Sequence, residues 1–185
     1  MSPDAAPSYE PLPAPRRIVT THNAFGQAVI DKSVPQGLEK TAGPGADLWL
    51  AYATPSLPAP LADGSDMEFY KSRLPNNVGI AYPGGLTTRF IDFLPGQEAP
   101  LHRTESIDTG VLVEGELELF LDSGETQILK RGDVIVQRGT LHGWRNRSDG
   151  VTARLFIVVT AADMPVVNGE KLEEDMPIPG LEGKR

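Results

Sequence analysis

"VLVEGELELFLDSGETQILKRGDVIVQRG", Val111 to Gly139, decides the fold. Val113, Leu117 and Leu119 alternate with Glu114, Glu116 and Glu118, giving one apolar and one charged face, as on an outer strand of a barrel. Gly115 interrupts that strand, and Asp122-Ser-Gly-Glu125 closes it with a hairpin turn. "TQILKRGDVIVQRG" continues with β-branched residues, the composition of further strands. Upstream, "TTRFIDFLPG" (Thr87 to Gly96) alternates and turns at Pro95-Gly96; downstream, "ARLFIVVTA" (Ala153 to Ala161) supplies one more strand. Short strands joined by tight turns pair antiparallel.

Nineteen glycines and seventeen prolines punctuate the 185 residues at the spacing of an all-β sandwich or barrel. The predicted fold is therefore all-β, an antiparallel jelly-roll β-barrel over 78–162 with an N-terminal β arm. Residues 1–16 are rich in Pro and Ala and read as a flexible arm. Residues 17–77 read as an N-terminal β arm and loops that pack on the barrel. They hold a hairpin around Asn23-Ala-Phe-Gly26, the apolar patch "LWLAYAT" and a helical turn or two in "MEFYKSRL". Residues 163–185 lose periodicity and form a C-terminal extension.

The net charge of -8 argues against a nucleic-acid partner or an anionic membrane surface, because both need clustered Lys and Arg. No apolar run approaches the roughly 18 residues of a membrane span, and the N-terminus lacks the pattern of a secretory signal. A cytoplasmic location and a small-molecule substrate are expected. Extended arms beside small barrels often pair with a neighbour, so a homodimer is expected too. With no cysteine in the chain, any metal would be held by imidazole and oxygen.

The chain has three histidines, His22, His102 and His142. Strand alternation turns His102, Thr104 and Asp108 to one side, and leaves Arg103 and Glu105 on the other. His142 returns after two strands and a hairpin, and Trp144 shares its parity. Two imidazoles, a carboxylate and an aromatic wall converging in a small barrel make a ligand cavity. Neutral imidazoles with one carboxylate suit a divalent metal (Zn, Fe, Mn or Ni) and leave coordination positions open to substrate. His102, Asp108 and His142 are therefore the candidate catalytic residues and metal ligands, with Thr104 as a small hydrogen-bonding wall. Asp108 could instead stand behind the ligands as a partner. His22 becomes a third imidazole only if the arm folds into the barrel mouth.

These residues resemble the two motifs of the cupin family. Gly96, His102, Thr104, Asp108 and Gly115 fall at the positions of the first motif, with Thr for its second histidine and Asp for its glutamate. Gly132, Gly139, His142 and Asn146 fall at those of the second, with Gln137 where proline is usual. "HRTESID" with "GDVIVQRGTLHGW" also resembles a narrower set of small cupins of secondary, small-molecule metabolism. In that set tyrosine commonly follows the aspartate. Thr109 stands there in this chain, and would leave more room in a substrate pocket shaped by Thr104, Thr109 and Trp144. The resemblance implies a metal-dependent enzyme acting on a small organic acid or polyketide-like substrate. Its reaction would be of lyase type: decarboxylation, dehydration or cyclisation. The alternatives are an Fe(II)-dependent oxygenase, a metal-free acid/base catalyst in which an imidazole is paired with Asp108, and a non-catalytic small-ligand binder.

Overall fold

The computed structural model describes residues 9–43, 45–74 and 79–177. The first part of the expected N-terminal arm (1–8), the expected barrel start at 78 and the end of the C-terminal extension (178–185) lie outside the described residues. Among the described residues no helix is long and apolar enough to cross a membrane.

The chain opens with a hairpin, β1 (Thr20–His22) with β2 (Ala28–Ile30), whose turn is the expected Asn23–Gly26. The Asn23 side chain accepts hydrogen bonds from the backbone N–H of Phe25 and of Gln27, which fixes the turn. β3 (Lys40–Gly43) and β4 (Ala46–Thr54) follow, then α1 (Ser65–Arg73), the helix expected from "MEFYKSRL". Next come β5 (Leu86–Phe93), β6 (Glu98–His102), β7 (Ser106–Glu114), β8 (Glu116–Leu121), β9 (Thr126–Lys130), β10 (Val134–Arg138), β11 (His142–Arg145) and β12 (Ala153–Ala161). β13 (Val166–Val167) and β14 (Glu170–Lys171) form a small terminal hairpin.

Two antiparallel sheets face each other. One has six strands in the order β10-β7-β12-β5-β4-β3, the other four in the order β6-β11-β8-β9. The main core lies between them: Phe93, Leu112, Leu155 and Val159 from the first sheet meet Ala99, Leu117, Leu129 and Trp144 from the second. The jelly-roll expectation holds, and one detail refines it. Val111–Leu121 is not one strand with an irregularity. The chain leaves the six-stranded sheet at Glu114 and enters the four-stranded one at Glu116. Gly115 makes that corner at φ 76°, and a Cβ there would lie 3.0 Å from the Thr152 carbonyl oxygen. The chain changes sheets again between His102, the last residue of β6, and Ser106, the first of β7.

"LWLAYAT" lies in β4, which pairs along β5, so part of the 17–77 region continues the barrel's own sheet as well as packing on it. α1 closes a second apolar cluster through Tyr70, against Leu50 and Ala53 of β4. Arg154 on β12 grips Asp92 on β5 through two hydrogen bonds of 2.6 Å and donates a third to the carbonyl of Pro13, which ties the N-terminal segment to the barrel. The charged face expected of β8 is only partly solvated. Glu118 is buried beneath Arg145 and Arg147, which bind its carboxylate and lower its pKa. The C-terminal segment pairs its backbone with Arg103: Arg103 N donates to Asp175 O at 2.7 Å, and Asp175 N to Arg103 O at 3.0 Å.

Candidate functional site

His102 and His142 are direct cross-strand partners on β6 and β11. Residues opposite each other on neighbouring strands bring their side chains together, and the ring centroids lie 4.3 Å apart with a 55° interplanar angle. Each ring is held in the same way. His102 Nδ1 is 2.8 Å from the Pro100 carbonyl oxygen, and His142 Nδ1 is 2.9 Å from that of Thr140. A carbonyl only accepts, so both Nδ1 atoms carry the proton and the Nε2 atom of each neutral ring keeps its lone pair. Burial lowers the pKa of His102. For His142, burial and the neighbouring His102 bring it down to about 3. Both rings are therefore neutral near pH 7. Trp144, two residues along β11, stands edge-on to His142 with centroids 5.8 Å apart. Gly143 between them lets Phe120 lie flat on the strand; a Cβ there would come within 2.2 Å of its ring.

Asp108 sits on β7, in the opposite sheet. Its Oδ1 accepts from the Ser106 hydroxyl at 2.6 Å, and Ser106 Oγ is 2.6 Å from Thr104 Oγ1. Burial outweighs these hydrogen bonds and raises the Asp108 carboxyl to about 6. The two sheets enclose a narrow cavity of about 30 Å³, lined by His102, His142, Trp144, Thr104, Asp108, Gln137, Arg89, Leu48, Ile80, Ile91, Ile157 and Val159. That is room for the polar end of a substrate rather than a whole one.

The expected convergence of His102, Thr104, Asp108, His142 and Trp144 is present. Among the described residues no three His, Cys, Asp or Glu side chains come together as a group able to hold a metal ion. Alternation treated His102 to Asp108 as one strand, but the chain changes sheets between them, and Asp108 is engaged by hydroxyls on its own sheet. The two imidazoles could hold a divalent cation through Nε2, the atom of each ring left with a lone pair. Thr109 points away from the cavity and is exposed, because its parity is opposite to that of Asp108; it is no part of this pocket. His22 lines a separate outer groove with Arg16, Tyr52 and Asp66. Gln137 and Arg89 also line the pocket, and Ser106 supports Asp108 beside it; the sequence pattern marks none of the three. Gln137 is the cross-strand partner of Asp108 in β10, a register that no local pattern displays.

Residues 89–159 match the model of the cupin domain. The chain is 46% identical over 162 residues to phomopsin biosynthesis cluster protein C' of Diaporthe leptostromiformis, covering 87% of this chain and 86% of that one. It is 41% identical over 166 residues to oryzines biosynthesis cluster protein J of Aspergillus oryzae, covering 89% and 93%. A cupin-domain-containing oxidoreductase of Neurospora crassa is 37% identical over 164 residues, covering 88% and 81%. Among solved structures, the polyketide cyclase RemF from Streptomyces resistomycificus is 16% identical with a TM-score of 0.47, covering 81% of this chain and 84% of that one. With the domain match spanning the barrel, and relatives well over a third identical along most of both chains, this protein belongs to the cupin family.

Proposed function

We propose that the protein is an enzyme of secondary metabolism that carries out a metal-dependent, lyase-type reaction on a small organic acid or polyketide-like substrate. Decarboxylation, dehydration and cyclisation all fit this reading. The observation that carries it is the pair of neutral imidazoles with both Nδ1 atoms tied to backbone carbonyls. The relatives named for phomopsin and oryzines biosynthesis clusters support the setting. His102 and His142 would hold a divalent metal (Zn, Fe, Mn or Ni) through Nε2, and when bound it would polarise a substrate carbonyl. Asp108 does the proton work: with its pKa near 6 the carboxyl both takes and returns a proton near neutral pH, and the Ser106 hydroxyl steadies its ionised form at Oδ1. Trp144, Ile91 and Ile157 keep water from the reacting end.

Mass-spectrometric metal analysis of protein purified without chelator, read beside His102→Ala, tests the reading. One metal per chain that is lost in His102→Ala, together with turnover, is expected. Turnover that persists in metal-free protein would instead favour acid/base catalysis by the histidines and Asp108 alone. A second reading, an Fe(II)-dependent oxygenase using the same imidazoles, is supported by the oxidoreductase name of the Neurospora relative. Turnover that stops when dioxygen is removed decides for it.

The expectation of a homodimer stands as part of this proposal. β10 is an edge strand of the six-stranded sheet, and it leaves Val134 and Val136 exposed. Light scattering should give the mass of two chains; a mass of one chain, 19.9 kDa, would overturn it.

A further inference from the structure

Gln137 is the feature of the cavity that proton transfer and metal binding leave unused. It is 3% exposed, it lines the cavity, and neither its Nε2 nor its Oε1 has a hydrogen-bond partner among the described residues. An amide buried without partners is costly, because each unsatisfied group loses its hydration and gains nothing in return. The surrounding strand makes the burial more telling. On β10 Val134 and Val136 are exposed, while the one amide side chain turns inward. A strand that orders its residues for solubility alone would do the reverse. A metal ion would satisfy only the oxygen of Gln137. Both ends are satisfied by a ligand that carries an acceptor and a donor side by side.

We propose that Gln137 is a specificity-determining residue that selects carboxylic acids bearing a nearby hydroxyl or enol. The Gln137 Nε2–H donates to a carboxylate oxygen, and the hydroxyl donates to Oε1. One further feature of the wall agrees with this ligand. Arg89 is fully buried on the same cavity, its guanidinium donates to the Gly79 carbonyl, and its positive charge favours an acid. Asp108, directly opposite Gln137 in register, lines the same cavity. This assignment rests on the reading of the cavity as the reaction site.

Binding of 3-hydroxybutyrate and of butyrate, titrated into the protein as purified and followed by NMR, tests the assignment. The two acids differ only in the hydroxyl. The protein is expected to bind 3-hydroxybutyrate about 10- to 100-fold more tightly than butyrate. Gln137→Met, close in volume but without hydrogen-bonding groups, is expected to erase most of that ratio and to raise the melting temperature of the ligand-free protein. Gln137→Glu keeps the acceptor and repels the carboxylate, so it should weaken both acids. An unchanged ratio in Gln137→Met, a lowered melting temperature of that variant, or no binding of either acid at millimolar concentration overturns the assignment. Because the readout is binding, the two readings fail separately. Selective binding without any turnover sinks the proposed reaction and spares Gln137. Turnover without hydroxyl preference sinks the role of Gln137 alone.

Discussion

His142→Gln is expected to abolish bound metal, to lower turnover by about 10²–10⁴-fold, and to make the fold less sensitive to acid. The first two effects follow from losing one of the two fixed Nε2 lone pairs. The third follows from burial. His142 has its pKa lowered to about 3, by desolvation first and by His102 second. For a base with a depressed folded-state pKa, the unfolded chain binds the proton more readily between about pH 3 and pH 6.5. The stability this ring allows is thus intact above pH 6.5 and is lost as pH falls below it. From pH 6.5 to 5 the loss from His142 alone is about 2 kcal/mol. Urea unfolding across that range, with chelator present so that the side chains titrate alone, should show a flatter acid limb in His142→Gln than in the parent. Parallel limbs would mean that His142 is protonated as easily in the folded protein as in water, and the neutral imidazole pair would be lost as an explanation.

The second large effect is expected at Asp108. Asp108→Asn should stabilise the protein by about 3 kcal/mol at neutral pH while lowering turnover by about 10²–10⁴-fold. The sign is opposite to that of a salt-bridged aspartate. Here burial raises the folded-state pKa from 3.8 to about 6, so the folded protein holds the proton more tightly than the unfolded chain. Stability is then highest at acid pH, falls as pH rises from about 4 to about 6, and stays reduced above that. Asparagine removes the cost of a buried charge and still presents an oxygen to the Ser106 hydroxyl. The gain in unfolding free energy should therefore be greatest at neutral pH and vanish near pH 4. A gain that is independent of pH, or a loss at every pH, would show that Asp108 is not a buried proton holder. Stability traded for function in this way is common at reaction sites.

The sequence by itself determined the class of fold and the gathering of most of the site. Strand-forming runs with Gly and Pro between them leave an antiparallel barrel as the way to bury their apolar faces. The alternation of His102, Thr104 and Asp108, with the parity of His142 and Trp144, placed all five inside correctly. Alternation is local, so its reading held as long as a strand stayed in one sheet. Between His102 and Ser106 the backbone passes from one sheet to the other, so Asp108 reaches the cavity from the sheet opposite the imidazoles. Thr109 was placed by resemblance rather than by parity, and parity turns it outward.

Only the tertiary structure decided the rest. The contact between His102 and His142 depends on cross-strand register, which is set by the pairing of β6 with β11 across a stretch of chain no local pattern spans. Gln137 and Glu118 are polar residues that a binary pattern assigns to solvent. One is buried beside Asp108 and the other beneath two arginines, because the partners that receive them come from distant strands. Burial and pairing, and with them the proton affinities of this site, are properties of the assembled sheets.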